Sequence, residues 1–283
     1  MDRYLNIKNN LLELAKKDEN IKAIVLIGSS TRDTVKADEY SDIDVVIVTN
    51  DTEGWLYGDE PEKLGKVKIS FVEPTLGGGK ERRILYDGSL DVDAIIFTPT
   101  QFETAIKEGV ASWVMNRGYV VMYDLMGFTE LLEKNVSHEI PQADLPESEF
   151  SNMVNDFFFH TVWASKKILR GELWSAKMCI DAYLKNYLRK IIEVYSVSKH
   201  HVDVWHDGRF LDRWAEQDIL SELEKCFAHY NKEDMVAALF ATAELFGRLA
   251  KQFSEMKGYS YPTEAEKYAM LLLIDYFPAE RGK

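Results

Sequence analysis

Asp42 and Asp44 flank a single isoleucine at the start of the apolar run IDVVIV. In an extended chain, side chains two positions apart project from the same face, so the two carboxylates stand side by side and repel each other. Such a pair is destabilising unless a cation sits between them, and oxygen-only ligation at this spacing suits Mg²⁺ carrying a nucleotide phosphate. Upstream, the apolar run IKAIVLI ends at Gly28-Ser29. A turn built on glycine lets backbone N–H groups approach a triphosphate closely, and the serine hydroxyl adds a hydrogen bond. Downstream, Asp93 lies in the run LDVDAIIF, where a third carboxylate can complete a metal site or take the proton of an attacking hydroxyl. Asp91 shares its face but stands nearer a turn, and is expected to be solvated. An Asp-x-Asp pair alone is common on solvated strand edges. The joint pattern is far more specific, and it suits nucleotidyl transfer, a chemistry of positioning and charge stabilisation.

These residues need a sheet to hold them. Residues 2–17 predict an amphipathic helix, with Leu5, Leu11, Leu12, Leu14 and Ala15 on one stripe. Ile21–Ile27 and Ile43–Val48 read as strands. Residues 52–66 read as irregular with a short helix, and Val67–Val72 as a further strand. The run Gly77-Gly78-Gly79 lacks a strand–glycine–helix context and reads as a surface loop. Asp87-Gly88 is a hairpin signal between Arg83–Tyr86 and Leu90–Phe97. Helical patterns follow at 100–108 and 127–134, with a short strand around Val120–Tyr123. The segment 135–147, containing Pro141 and Pro146, breaks the pattern and places a domain boundary. Beyond it only helices are expected, at 148–170, 173–196, 211–227, 232–256 and 262–277. The expected fold is α+β, a mixed sheet with flanking helices over residues 1–138, followed by a helical bundle over 139–283.

Composition bounds the function. The 283 residues, 46% apolar and 12% aromatic, suffice for two packed cores. The N-terminus has no basic start followed by an apolar block, and no apolar run approaches the roughly 18 residues that span a bilayer. A cytoplasmic protein is expected. Cys179 and Cys226 are too few for a disulfide framework and read as buried free thiols. A net charge of −13 argues against nucleic-acid binding and would draw in a cationic substrate, although acidic excess also serves solubility alone.

The Gly-Ser and Asp-x-Asp arrangement resembles the nucleotidyltransferase superfamily with a DNA-polymerase-β-like palm. The stretch FFFHTVWASKKILRGELWSAKMCIDAYLKNYLRKIIE, residues 157–193, resembles the aminoglycoside 6-adenylyltransferases that modify streptomycin. That resemblance implies transfer of AMP from ATP to a streptomycin hydroxyl, with Mg²⁺ held by Asp42, Asp44 and Asp93 and pyrophosphate released. It also implies an active site in the cleft between the two domains, with ATP on the sheet side and the cationic antibiotic against the helices. One position departs from the family pattern: Gly-Ser-Arg reads Gly28-Ser29-Ser30 here, which makes Arg32 the candidate replacement for the phosphate contact. Lys185 is a candidate triphosphate ligand, against a solvated helix lysine. Asp181 is a candidate for the acceptor or for a base, against an ion pair with Lys177 or Lys185. Trp163 is a candidate to line the acceptor site, although both it and Trp174 read first as packing residues. His160 reads as a hydrogen-bonded core histidine. The alternatives are another small-molecule acceptor, or a non-catalytic nucleotide-binding module.

Overall fold

Two apolar runs make the centre of a six-stranded sheet, β1 (Ile21–Ile27) and β2 (Ile43–Thr49), each buried along almost its whole length. The computed structural model describes residues 2–32, 35–75, 79–110, 112–137, 139, 142–205 and 207–278. The chain divides into two compact units, Met1–Pro141 and Gln142–Lys283.

In the first unit, β3 (Val67–Pro74), β4 (Lys80–Tyr86), β5 (Leu90–Phe97) and β6 (Val120–Asp124) complete a sheet of order β3-β4-β5-β2-β1-β6. β2 and β5 run parallel, which sets Asp44 beside Asp93. The pairs β1–β2, β1–β6, β3–β4 and β4–β5 are antiparallel. The sheet is therefore mixed, as expected, and the hairpin at Asp87-Gly88 joins β4 to β5. Gly77 and Gly78 of the glycine run lie outside the described residues.

Strand alternation separates two cores. On one face Ile24, Leu26, Val45, Ile47, Val92 and Ala94 pack with Leu11 and Ala15 of α1 (Leu5–Lys17) and Trp55 of α2 (Thr52–Tyr57). On the other, Val25, Ile27, Val46, Val48 and Phe97 pack with Phe102 and Ile106 of α3 (Pro99–Lys107) and Phe128 and Leu132 of α5 (Phe128–Asn135). A short α4 (Ser112–Met115) precedes β6. Thr98 starts α3 with a reciprocal capping box to Gln101. Each fully buried aliphatic side chain contributes about 1.5–3 kcal/mol, so this two-faced core outweighs the destabilising carboxylates at its end.

The second unit is helical: α6 (Glu147–Leu169), α7 (Leu173–Met178), a π-helical turn (Cys179–Tyr183), α8 (Leu184–His200), α9 (Leu211–Trp214), α10 (Gln217–Leu223), α11 (Lys232–Lys257) and α12 (Thr263–Tyr276). Its core is aromatic-rich, with Phe157 stacked on Phe246 at 3.7 Å. Two expectations are corrected here. The helix expected at 173–196 carries a π turn in its middle and runs on to His200. The helix expected at 211–227 is broken at Ala215 and Glu216, both extended. There the Glu216 carboxylate takes Lys199 Nζ at 2.6 Å and His200 Nε2 at 2.5 Å from α8, tying the break to a neighbouring helix. Cys179 and Cys226 are buried free thiols. Among the described residues no helix is long and apolar enough to cross a membrane.

Candidate active site

One carboxylate oxygen from each of Asp42, Asp44 and Asp93 lies within 4.8 Å of the other two. The parallel register of β2 and β5 sets Asp44 beside Asp93, and Asp42, one residue ahead of β2, completes the group. Asp93 is 5% exposed. Its Oδ2 accepts the Arg83 guanidinium at 3.1 Å, while its Oδ1 is buried with no hydrogen-bond partner. An unsatisfied buried acceptor costs about 1–3 kcal/mol. Burial first, then the charges of Asp44 and Asp42, push the Asp93 carboxyl up to about 7 against the opposing pull of Arg83. Three converging carboxylates, with no His or Cys in the group among the described residues, fit a hard divalent cation.

Beside this group the chain leaves β1 through a 3-10 turn, Gly28–Thr31. Gly28 has φ of +76°, and a Cβ there would stand 1.9 Å from Asp44 Oδ2. The glycine is required both by its conformation and because the Asp44 carboxylate rests against it. Thr31 fixes the turn, its hydroxyl donating to the carbonyls of Gly28 at 3.0 Å and Gly118 at 2.9 Å. Ser29 Oγ is buried with no hydrogen-bond partner. The Ser30 hydroxyl turns back onto the carbonyl of Ile27 at 3.4 Å. Arg32 ends the turn, half-buried and extended.

Arg83 had no sequence signal. It stands in β4, where register alone sets it opposite Asp93, and its Nε also meets Glu73 at 2.5 Å and Glu81 at 3.1 Å. Knowing that β4 pairs with β5 would have singled it out over its neighbour Arg82.

The remaining candidates lie in the helical unit and do not form one site. Asp181 sits on the π turn and pairs with Lys177, as one expectation had it, and its Oδ1 is buried without a hydrogen-bond partner. Lys185 is not a solvated lysine. It is 9% exposed, and its Nζ donates to Ile180 O at 3.1 Å and Thr242 Oγ1 at 2.8 Å. Burial holds its ammonium down at about 8. Both residues line a cavity of about 510 Å³ with Arg189, Asp207 and Phe227.

Trp163 lines a different cavity, of about 700 Å³, with Asp156, Phe159, His160 and Tyr268. The reading of Trp163 and Trp174 as packing residues is corrected, since they are 36% and 69% exposed. The core of α6 is filled by Phe150, Phe157 and Phe158, and the i, i+4 pair Phe159 and Trp163 falls on its outer side. His160 is hydrogen-bonded, with Nδ1 2.6 Å from Asp156 Oδ1, but it stands at a pocket wall rather than in the core. Tyr183 donates to the same Asp156 carboxylate at 2.9 Å.

The streptomycin adenylyltransferase family model matches residues 1–272. An aminoglycoside 6-adenylyltransferase of Bacillus subtilis (strain 168) is 22% identical over 263 residues, covering 89% of this chain and 90% of that protein. Among solved structures, an aminoglycoside 6-adenyltransferase from Bacillus subtilis superposes with a TM-score of 0.47 at 17% identity, covering 96% of this chain and 97% of that one. A nucleotidyltransferase-like protein from Exiguobacterium sibiricum gives a TM-score of 0.36 at 11% identity, covering 96% and 91%. With the family match spanning nearly the whole sequence, the chain belongs to the streptomycin adenylyltransferase family, a family of nucleotidyltransferase enzymes.

Proposed function

We propose that the protein transfers AMP from MgATP to a hydroxyl of an aminoglycoside, streptomycin first among the candidates, releasing pyrophosphate and inactivating the antibiotic. The observation that carries this reading is the convergence of Asp42, Asp44 and Asp93 within 4.8 Å, with an orphaned oxygen on Asp93. Asp42 and Asp44 would hold Mg²⁺ with Asp93, and the cation would supply neutralisation of phosphate charge. Ser29, its buried hydroxyl unpartnered, and the backbone of the Gly28 turn would cradle the triphosphate, with Arg32 contributing a cationic contact. The acceptor oxygen bonds to the α-phosphorus as the bond from that phosphorus to the bridging oxygen breaks, and the hydroxyl proton is released to solvent.

On the acceptor side, the exposed ring of Trp163 beside the Asp156 carboxylate suits an amino or guanidino sugar, through cation–π attraction and charge pairing. Asp181, in the separate cavity with Lys185, is the alternative acidic group for such a ligand. The reading places the enzyme with the cytoplasmic ATP pool. Pyrophosphate release, measured with MgATP and a panel of aminoglycosides and followed by mass analysis of the products, tests it. Adenylylated streptomycin is the expected product. Turnover with a different acceptor only, or ATP binding without turnover on any aminoglycoside, overturns it.

A further inference from the structure

Asp42 stands one residue outside the sheet that positions its partners, because the ladder between β2 and β5 begins at Ile43 opposite Val92. Strand pairing thus fixes Asp44 against Asp93 but not Asp42. Two N-terminal residues span the place where the ladder stops. Tyr4, 7% exposed, donates its hydroxyl proton to the carbonyl of Ser41 at 2.9 Å and accepts the N–H of Asp91 at 3.1 Å. One oxygen therefore bridges the residue before Asp42 and the residue two before Asp93. Arg3 crosses the same gap further out, its guanidinium donating to the carbonyl of Glu39 on one side and to those of Gly88 at 3.0 Å and Ser89 at 3.5 Å on the other. The bridge is anchored from behind. The Tyr4 ring packs in the core with Ile7 and Leu11 of α1. Asp2 accepts the Tyr4 N–H at 2.9 Å and pairs with Lys8 at 3.1 Å. Packing alone would ask only for an apolar ring at position 4. The hydroxyl and its two backbone partners serve the geometry of the strand ends.

We propose that Arg3 and Tyr4 are positioning residues for the carboxylate cluster. By tying the segment before Asp42 to the start of β5 they set how Asp42 stands relative to Asp93, and so the affinity of the cluster for its divalent cation. This rests on the reading of the three aspartates as a metal site. Groups that orient ligands in this indirect way typically change metal affinity by about 10–100-fold when removed.

The test uses Mn²⁺ as the probe, titrated into the full chain with and without ATP and followed by electron paramagnetic resonance, for wild type, Asp44→Asn, Tyr4→Phe, Arg3→Ala and Arg3→Lys. Tyr4→Phe keeps the ring and removes only the bridging oxygen. It is expected to weaken Mn²⁺ binding about tenfold while the unfolding midpoint stays close to wild type. Arg3→Ala is expected to weaken binding to a smaller extent, with Arg3→Lys recovering part of the loss. Because the Arg3 side chain is exposed, its variants carry the test even if Tyr4→Phe does not fold. If wild type binds Mn²⁺, Asp44→Asn does not, and Tyr4→Phe and Arg3→Ala both bind as wild type does, the positioning role is overturned and the metal site stands. If wild type binds no better than Asp44→Asn, the metal-site reading falls and this inference with it.

Discussion

Asp93 of the sheet unit and Lys185 of the helical unit are 5% and 9% exposed, yet the two buried charges live in opposite circumstances. Lys185 has taken an internal acceptor set. Its Nζ donates to Ile180 O and Thr242 Oγ1, and it lies 5.1 Å from the Phe227 ring centre. The Ile180 carbonyl belongs to the π turn, where the regular α-helical ladder is interrupted, so the lysine secures an irregular segment. Asp93 keeps one oxygen without a partner and faces two further carboxylates. A buried charge satisfied from within is a staple. One satisfied on a single oxygen, by Arg83, and left among like charges is where the proposed function puts its cation.

The contrast breaks first at Asp44. Asp44→Asn should lower pyrophosphate release on the order of 10³-fold, the scale seen when a charge-stabilising group is lost. Turnover near wild type would mean that the cluster is not the reacting centre. Gly28→Ala should come next, because its Cβ would fall 1.9 Å from Asp44 Oδ2 on a backbone with φ of +76°. A loss of about 10–100-fold in kcat, with a lower melting midpoint, is expected from steady-state kinetics and thermal unfolding. On the helical side, Trp163→Ala should raise the acceptor KM roughly 2–30-fold, the equivalent of a cation–π contact of about 0.5–2 kcal/mol, and leave the MgATP KM unchanged.

The two buried charges also predict pH dependences of opposite sign. Asp93 is raised from 3.8 to about 7 on folding. The native metal-free state therefore holds this proton more tightly than the unfolded chain, and stability falls as pH rises between about 4 and 7. Lys185 is lowered from 10.5 to about 8. The unfolded chain binds that proton more tightly, and stability rises as pH rises between about 8 and 10.5. Melting midpoints across both windows should show the two slopes, Asp93→Asn flattening the first and Lys185→Met the second. A tenfold higher MgATP KM in Lys185→Met would instead return that lysine to the triphosphate.

Much of the first unit was legible because its strands are short apolar runs ended by turn residues. Gly28, Asp42, Asp44 and Asp93 could be read from types and spacing, and β1 and β5 fall where alternation and the Asp87-Gly88 turn place them. The helical unit was legible as helix but not as surface. Apolar periodicity cannot tell an inward aromatic from an outward one when both faces carry them, so by pattern alone Trp163, Trp174 and His160 point inward. Lys185 was read outward because only tertiary packing discloses a buried acceptor set.

By itself the sequence determined that carboxylates would stand in pairs on strand faces behind a glycine turn, because alternation is a local property of the backbone. Which carboxylates met was decided by the parallel pairing of β2 with β5, a contact between segments far apart in the chain. The same holds for Arg83 against Asp93 and for Tyr4 between Ser41 and Asp91. Spacing along a strand is written in neighbouring residues, whereas register between strands is settled by the burial of the whole sheet.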